Sequence, residues 1–360
     1  MRRSSLLVFV ALAAPTALGV RPAIAQPVLT DPVHFRIDLY ADFRSLPGNP
    51  RARSALLSDG TNGFPAGLYV TGGFDRPDTP ILLVDAPSHV TVFKDGLPTN
   101  EALLFAQGGY GSGMFVSEPL DLAIKRLLPD GTLTTFATVG KGPAGPFEMT
   151  YFQGSLLVTD GSDGTIVRVN PDGSSHTFAT IPIPPAGPDA FPGAQAILTL
   201  SSPAAARFGG PILASNFDDG PGLTQDSIFV VSADGKTVTT IASPVQKPTS
   251  LTEGPGGAFG NNIFVSQLGI NSQNSTGQVS ILAPDGTLTP FLKGIDASDV
   301  VFDTKDVLGG GMFIMDGNGS PTGDLPGRIW RVRAVPAPGA ALLLAIGALC
   351  LSPILVRGRA

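Results

Sequence analysis

The chain has 360 residues, a formal charge of −6 from 23 basic and 29 acidic side chains, and a single cysteine. One cysteine excludes disulfide stapling, so the fold must be held by packing, ring closure or bound ions. The acidic balance disfavours nucleic acid and anionic membranes as partners.

At the N-terminus, Arg2 and Arg3 precede an apolar run over 6–18, and Ala23-Ile24-Ala25 supplies the small-x-small pattern of a signal-peptidase site. This predicts a secretory signal over 1–25 and a mature chain starting near Gln26. A closing strand and linker are expected over 26–60. Here Val33, Phe35, Ile37 and Leu39 alternate with His34, Arg36, Asp38 and Tyr40, the period-two pattern of a strand with its apolar set on one face.

From 61 to 334 one phrase recurs: an apolar run, Pro-Asp-Gly or a relative of it, then Thr-rich alternation. It is clearest around Pro129-Asp130-Gly131 and returns around Pro171-Asp172-Gly173, Ala233-Asp234-Gly235 and Pro284-Asp285-Gly286. Asp-Gly is hairpin chemistry, since glycine accepts positive φ and the aspartate bonds to its own backbone. Self-similarity at roughly 40 to 60 residues with strand-sized alternation predicts an all-β, six-bladed β-propeller. The units fall near 61–97, 98–139, 140–182, 183–243, 244–293 and 294–334. The last ends before an outermost strand, and the N-terminal strand is expected to complete it and close the ring.

The end segment 335–360 carries Val335-Pro336-Ala337-Pro338, an apolar stretch over 339–356, then Arg357 and Arg359. This layout resembles the PEP-CTERM sorting tail of Gram-negative bacteria, with Ala337 where that family has Glu. The resemblance implies a transmembrane sorting helix, an exosortase-type partner and a cell-surface or extracellular destination, with the membrane touched only through the tail. A plain C-terminal membrane anchor is the alternative. Setting aside Arg2, Arg3, Arg21, Arg357 and Arg359 takes the charge to about −11, which leaves room for cations.

Within each unit a glycine turn and a short β-branched or aromatic strand end on a polar residue, as in Met114-Phe115-Val116-Ser117-Glu118. With the Ile-x-Arg-x-x-Pro-Asp-Gly-like phrase, best seen between Asp160 and Gly173, the chain resembles six-bladed propellers of the NHL, gluconolactonase and virginiamycin B lyase type. That resemblance implies a ligand site at the axial opening, carried here by Glu118, Asp160, Asn216, Gln267 and Asp316. A lyase of this type implies a histidine base. Of His34, His89 and His176, the last two fall in outer hairpins, against that reading. A lactonase of this type implies a divalent cation held by carboxylate and amide oxygens. Its Glu-Gly-Pro is matched only by Glu253-Gly254-Pro255, in the fifth unit rather than the first.

Asp160, Asp163, Asp218 and Asp219 cluster carboxylates that repel unless solvated or bridged, and are the candidate ligands of Ca2+ or another divalent cation. The expectation is an exported, monomeric binding or structural module, with extracellular polysaccharide or a surface protein as partner. The alternative is a metal-dependent lactonase or hydrolase using the same opening.

Overall fold

A computed structural model describes residues 26–48, 50–73, 78–142, 144–183, 193–217, 226–269, 276–317 and 327–336. The expected signal peptide and sorting helix lie outside the described residues, as do Asp218 and Asp219. Among the described residues no helix is long and apolar enough to cross a membrane.

The strands form six antiparallel sheets arranged as a six-bladed propeller. From the innermost strand outward, blade 1 is Ala55–Ser58, Gly67–Val70, Thr79–Ala86 and His89–Leu97; blade 2 is Leu103–Phe105, Met114–Glu118, Ala123–Leu127 and Leu133–Thr138. Blade 3 is Pro146–Phe152, Ser155–Asp160, Thr165–Val169 and Ser175–Thr180; blade 4 is Gly193–Thr199, Ile212–Phe217, Asp226–Val231 and Val238–Val245. Blade 5 is Pro248–Glu253, Ile263–Gln267, Gln278–Leu282 and Leu288–Lys293, edged by Val28–Leu29. Blade 6 is Ala297–Asp303, Gly311–Asp316, Arg328–Ala334 and, from the start of the chain, Phe35–Asp42.

Successive inner strands touch around the ring, and blade 6 meets blade 1. The core is correspondingly divided into six apolar clusters, each filled from two neighbouring blades. Burial therefore rewards closure of the ring rather than any single blade, as expected where one repeat cannot bury its own face.

The closing strand pairs with Arg328–Ala334 from Phe35↔Ala334 to Asp42↔Arg328, as the incomplete sixth unit requires. Its phase differs from the strict alternation read from sequence. The ladder slips between Leu39 and Ala41, and this bulge turns Leu39 out, 46% exposed, while burying Tyr40 at 2%. Tyr40 packs edge-on against Phe313, 4.8 Å between ring centroids, and lies under the Arg331 guanidinium. Val33 precedes the strand and is 74% exposed.

Two further differences concern boundaries. Blade 1 starts at Ala55, inside the stretch expected to be linker. Blade 4 carries a short helix, Ser202–Phe208, capped by the Ser201 side chain, with proline in its first turn and left-handed Gly209 at its end.

The recurrent hairpin tips are turns, as their chemistry demands. Asp130, Asp172, Asp234 and Asp285 each accept the backbone N–H two residues on, at 2.9 to 3.2 Å. Those bonds hold their carboxyls below the usual range, together with side-chain hydroxyls of the same turns. The glycines that follow Asp172, Asp234 and Asp285 also abut the preceding blade: a Cβ on Gly286 would lie 1.7 Å from the Ile241 carbonyl oxygen.

Candidate functional site

Each inner strand begins at the end where its neighbour finishes, as in Pro146↔Asp160, Pro248↔Gln267 and Ala297↔Asp316. These ends define one face of the disc, called upper here. Glu118, Asp160, Asn216, Gln267 and Asp316 all sit there, at or next to the end of a second strand, and all are buried.

Their side chains are engaged chiefly by the next strand or turn of the same blade. Asn216 accepts the Ser227 N–H and donates to the Pro182 carbonyl. The Gln267 Oε1 accepts from Gln278 and Ser280. Asp316 accepts the Trp330 indole N–H at 3.1 Å, with the Arg328 guanidinium 3.8 Å away. Glu118 lies 3.5 Å from Lys125, which also holds Asp121 at 2.9 Å. Burial pushes Glu118 up to about 7 and Asp316 up to about 6.

Asp160 accepts the Ser162 N–H and Asp163 the Thr165 N–H. Both line a groove of about 230 Å³ with Lys141 and His176. Among the described residues, no three His, Cys, Asp or Glu side chains converge as a metal site would need. Glu118, Asp160 and Asp316 hold equivalent places in different blades without meeting, while Asp163 neighbours Asp160 within blade 3.

The side chains that do meet come from the inner strands, where a bulge recurs near the start. The ladder slips between Pro146 and Met149, Ala194 and Ile197, Pro248 and Ser250, and Ala297 and Asp299. Glu148, Gln195, Ser250 and Asp299 lie at these irregularities, and Arg53, Ser54 and Glu101 occupy the approach to the inner strands of blades 1 and 2. Hydroxyls on the second and inner strands tie the bulged backbones together from blade to blade. Thr71 donates to the Glu101 carbonyl, Thr159 to Gln195, Ser215 to Pro248, Thr249 to Ala297 and Ser298 to Ala52.

Within this belt Asp299 is fully committed. Its Oδ1 accepts from Ser250 Oγ at 2.6 Å and its own strand's Val300 N–H at 2.7 Å; its Oδ2 accepts from Ser54 Oγ at 3.0 Å and Ala55 N–H at 2.9 Å. One carboxylate thus joins blades 5, 6 and 1. Burial raises its pKa despite those four donors. Arg53 and Glu101 join blades 1 and 2 through a 2.9 Å ion pair.

Glu148, from blade 3, is different. Its carboxyl is within electrostatic reach of Asp299, Glu101 and Arg53. Glu148 lies at the bulge of the blade 3 inner strand and Asp299 at that of the blade 6 inner strand, on the opposite side of the ring. The residue is half-buried, and among the described residues no cation lies within ion-pair distance of it. Burial pushes its pKa well above the ordinary carboxylate value; Asp299 and Glu101 add to the rise, and Arg53 opposes it. The upper mouth can therefore hold a proton, or accept the cationic or hydrogen-bond-donating part of a ligand.

Glu253, whose Glu-Gly-Pro context suggested a lactonase, ends its inner strand at the opposite, lower face. There it accepts from the Ser201 N–H and hydroxyl, bracing the start of the short helix. The histidines also stay away from the axis: His34 pairs with Asp31 and His89 with Asp85, both exposed, and His176 lies on an outer strand.

No protein-family model and no curated protein sequence matches the chain. Solved structures do match in shape. A gluconolactonase from Xanthomonas campestris superposes with a TM-score of 0.53 at 17% identity, covering 88% of this chain and 99% of its own. A streptogramin B lyase gives 0.50 at 12% identity over 84% of this chain and 98% of its own. An auxiliary nutrient binding protein from Bacteroides thetaiotaomicron gives 0.53 at 11% identity over 83% and 76%. At such identities the likeness is one of fold: the chain is a six-bladed propeller with structural neighbours of the gluconolactonase and streptogramin lyase type.

Proposed function

We propose that the protein is an exported binding propeller that captures its ligand at the upper axial mouth. The observation that carries this reading is Glu148, an inner-strand carboxyl within electrostatic reach of Asp299 and the Arg53–Glu101 pair and with no cation at ion-pair distance among the described residues. Glu101, Glu148 and Asp299 against Arg53 give the mouth an acidic bias, so the ligand presents an ammonium group or a set of hydroxyl donors. Export rests on the N-terminal signal pattern and the sorting-type tail.

Chain direction supports that arrangement. Arg328–Ala334 begins at the upper face, where Arg328 pairs with Asp316, and ends at the lower. A tail held in a membrane or handed to an exosortase would therefore leave the mouth facing outward, toward extracellular polysaccharide or a surface protein. The metal-dependent lactonase is less well served, because Asp299 has both oxygens filled by protein donors and Glu253 lies on the lower face.

The test is a thermal-shift screen of the full chain with primary amines, amino sugars and neutral saccharides, run beside hydrolysis of glucono-δ-lactone. The expected result is a ligand-dependent rise in Tm, lost in Glu148→Gln, with no lactone turnover. Turnover that falls in Glu148→Gln would favour the hydrolase instead.

A further inference from the structure

A second cavity lies on the lower face, between blades 5 and 6, where phenylalanine rings form much of the wall and Thr30, Asp31, Asn262 and Thr289 add polar groups. It measures about 180 Å³ and its walls include Phe35, Phe259, Phe264 and Phe291. The rings pack against one another, with centroids 5.2 Å apart for Phe35 with Phe259 or Phe291 and 5.3 Å for Phe264 with Phe291. Ala258 and Thr289 stand exposed on its rim. A space this small suits a leucine-sized side chain rather than a drug-sized ligand, whose sites run from roughly 300 Å³ upward.

The chain's own end leaves beside this cavity. Ala334 pairs with Phe35, a wall of the groove, and the Val335 N–H donates to the His34 carbonyl at 2.7 Å. Exposed apolar side chains gather in the same end segments. Of the seven large ones among the described residues, Val28, Val33, Leu39 and Val335 belong to them. Beyond Val335 the sequence is almost wholly apolar from 339 to 356, with three successive leucines at 342–344. Seven residues of extended chain reach about 23 Å, ample for a groove adjoining the point of exit.

We propose that, before a membrane or an exosortase takes up the tail, the groove lined by these phenylalanines seats the chain's own C-terminal apolar segment, with a leucine from 342–344 filling the space they line. The contact buries a segment that would otherwise expose its apolar side chains to water, and covers the apolar edge left by the closing strand.

Cys350 is the only cysteine of the sequence and lies inside the segment, so it accepts a nitroxide label on the full, otherwise unchanged chain. The expected result is loss of the amide NMR signals of Ala258, Asn262 and Thr289 by paramagnetic relaxation, while Thr132, at the lower face of blade 2, keeps its signal. Ala258→Glu, at an exposed rim position, should restore the lost signals with Trp330 fluorescence unchanged. Intact signals at Ala258 and Thr289 in the labelled wild type would overturn the proposal. So would losses that Ala258→Glu leaves in place, or that arise between chains when labelled and isotope-enriched molecules are mixed.

Discussion

Replacing Asp299 by Asn tests the axial belt with an almost isosteric change. The carboxylate takes two hydroxyl donors, Ser54 and Ser250, and two backbone donors, Ala55 and Val300, one of each kind on each oxygen. A hydroxyl can turn and accept from the new amide NH2. A backbone N–H cannot, so whichever oxygen is replaced, one buried amide faces another donor. Stranding a buried donor costs about 1–3 kcal/mol, and the remaining bonds lose their charge assistance, roughly 1 kcal/mol each. Neutrality recovers part of this, because burial already disfavours the ionised form. The net expectation is a loss of about 2–3 kcal/mol, read as a lower urea midpoint at unchanged m. Asp285→Asn, in a solvent-facing turn whose bond Asn can keep, is the control and should stay within about 0.5 kcal/mol of wild type. An Asp299→Asn protein equally close to wild type would refute the idea that this carboxylate braces three blades.

The bulge in the closing strand predicts that Tyr40→Ala costs about 3–5 kcal/mol and Leu39→Ala under about 1, by urea unfolding; the reverse order would restore the strict alternation. Gly286→Ala combines φ +85° with a Cβ 1.7 Å from the Ile241 carbonyl, whereas Gly154→Ala has φ +74° and open space. The second should cost about 1–2 kcal/mol and the first clearly more, checked by thermal unfolding of both variants. Glu118 has a folded pKa pushed up to about 7 from an ordinary 4.5. The folded state then holds the proton more tightly, so this group's contribution to stability is present below about 4.5 and is lost as pH rises through about 7. Glu118→Gln should accordingly gain on wild type between pH 5 and pH 8 in paired denaturation curves; a constant difference would count against the shift.

The architecture was legible because blade stability rests on patterns that survive in one sequence: Pro-Asp-Gly tips, β-branched second strands and an N-terminal strand alternating beside an incomplete last unit. Its phase was less legible, since a bulge at Leu39–Ala41 leaves no residue signature there and period-two reasoning carries the wrong face past it. The same limit hid the axial site. Glu148, Gln195, Ser250 and Asp299 lie at bulges, so they share no residue type and no fixed offset from the hairpin phrase. Reading the strand ends instead selected Glu118, Asp160, Asn216, Gln267 and Asp316, of which the last four recur because each ties a strand end in place by hydrogen bonds. A usable signal was present one residue earlier. Ser117, Thr159 and Ser215 recur as buried hydroxyls that bond the inner-strand backbone. The helix at Ser202–Phe208 was also signalled, by Ser201, Pro203 and Gly209, the cap, first-turn proline and terminal glycine of a short helix.

Ligand is proposed to enter at the upper mouth and meet Glu148. The most direct measurement is NMR shift mapping of the full chain with the strongest stabiliser from the thermal screen, on wild type and Glu148→Gln in parallel. Perturbed amides are expected around Glu101, Glu148, Gln195 and Asp299 in the wild type and not in the variant. Saturable shifts centred on another part of the propeller, or an unchanged response in Glu148→Gln, would contradict it.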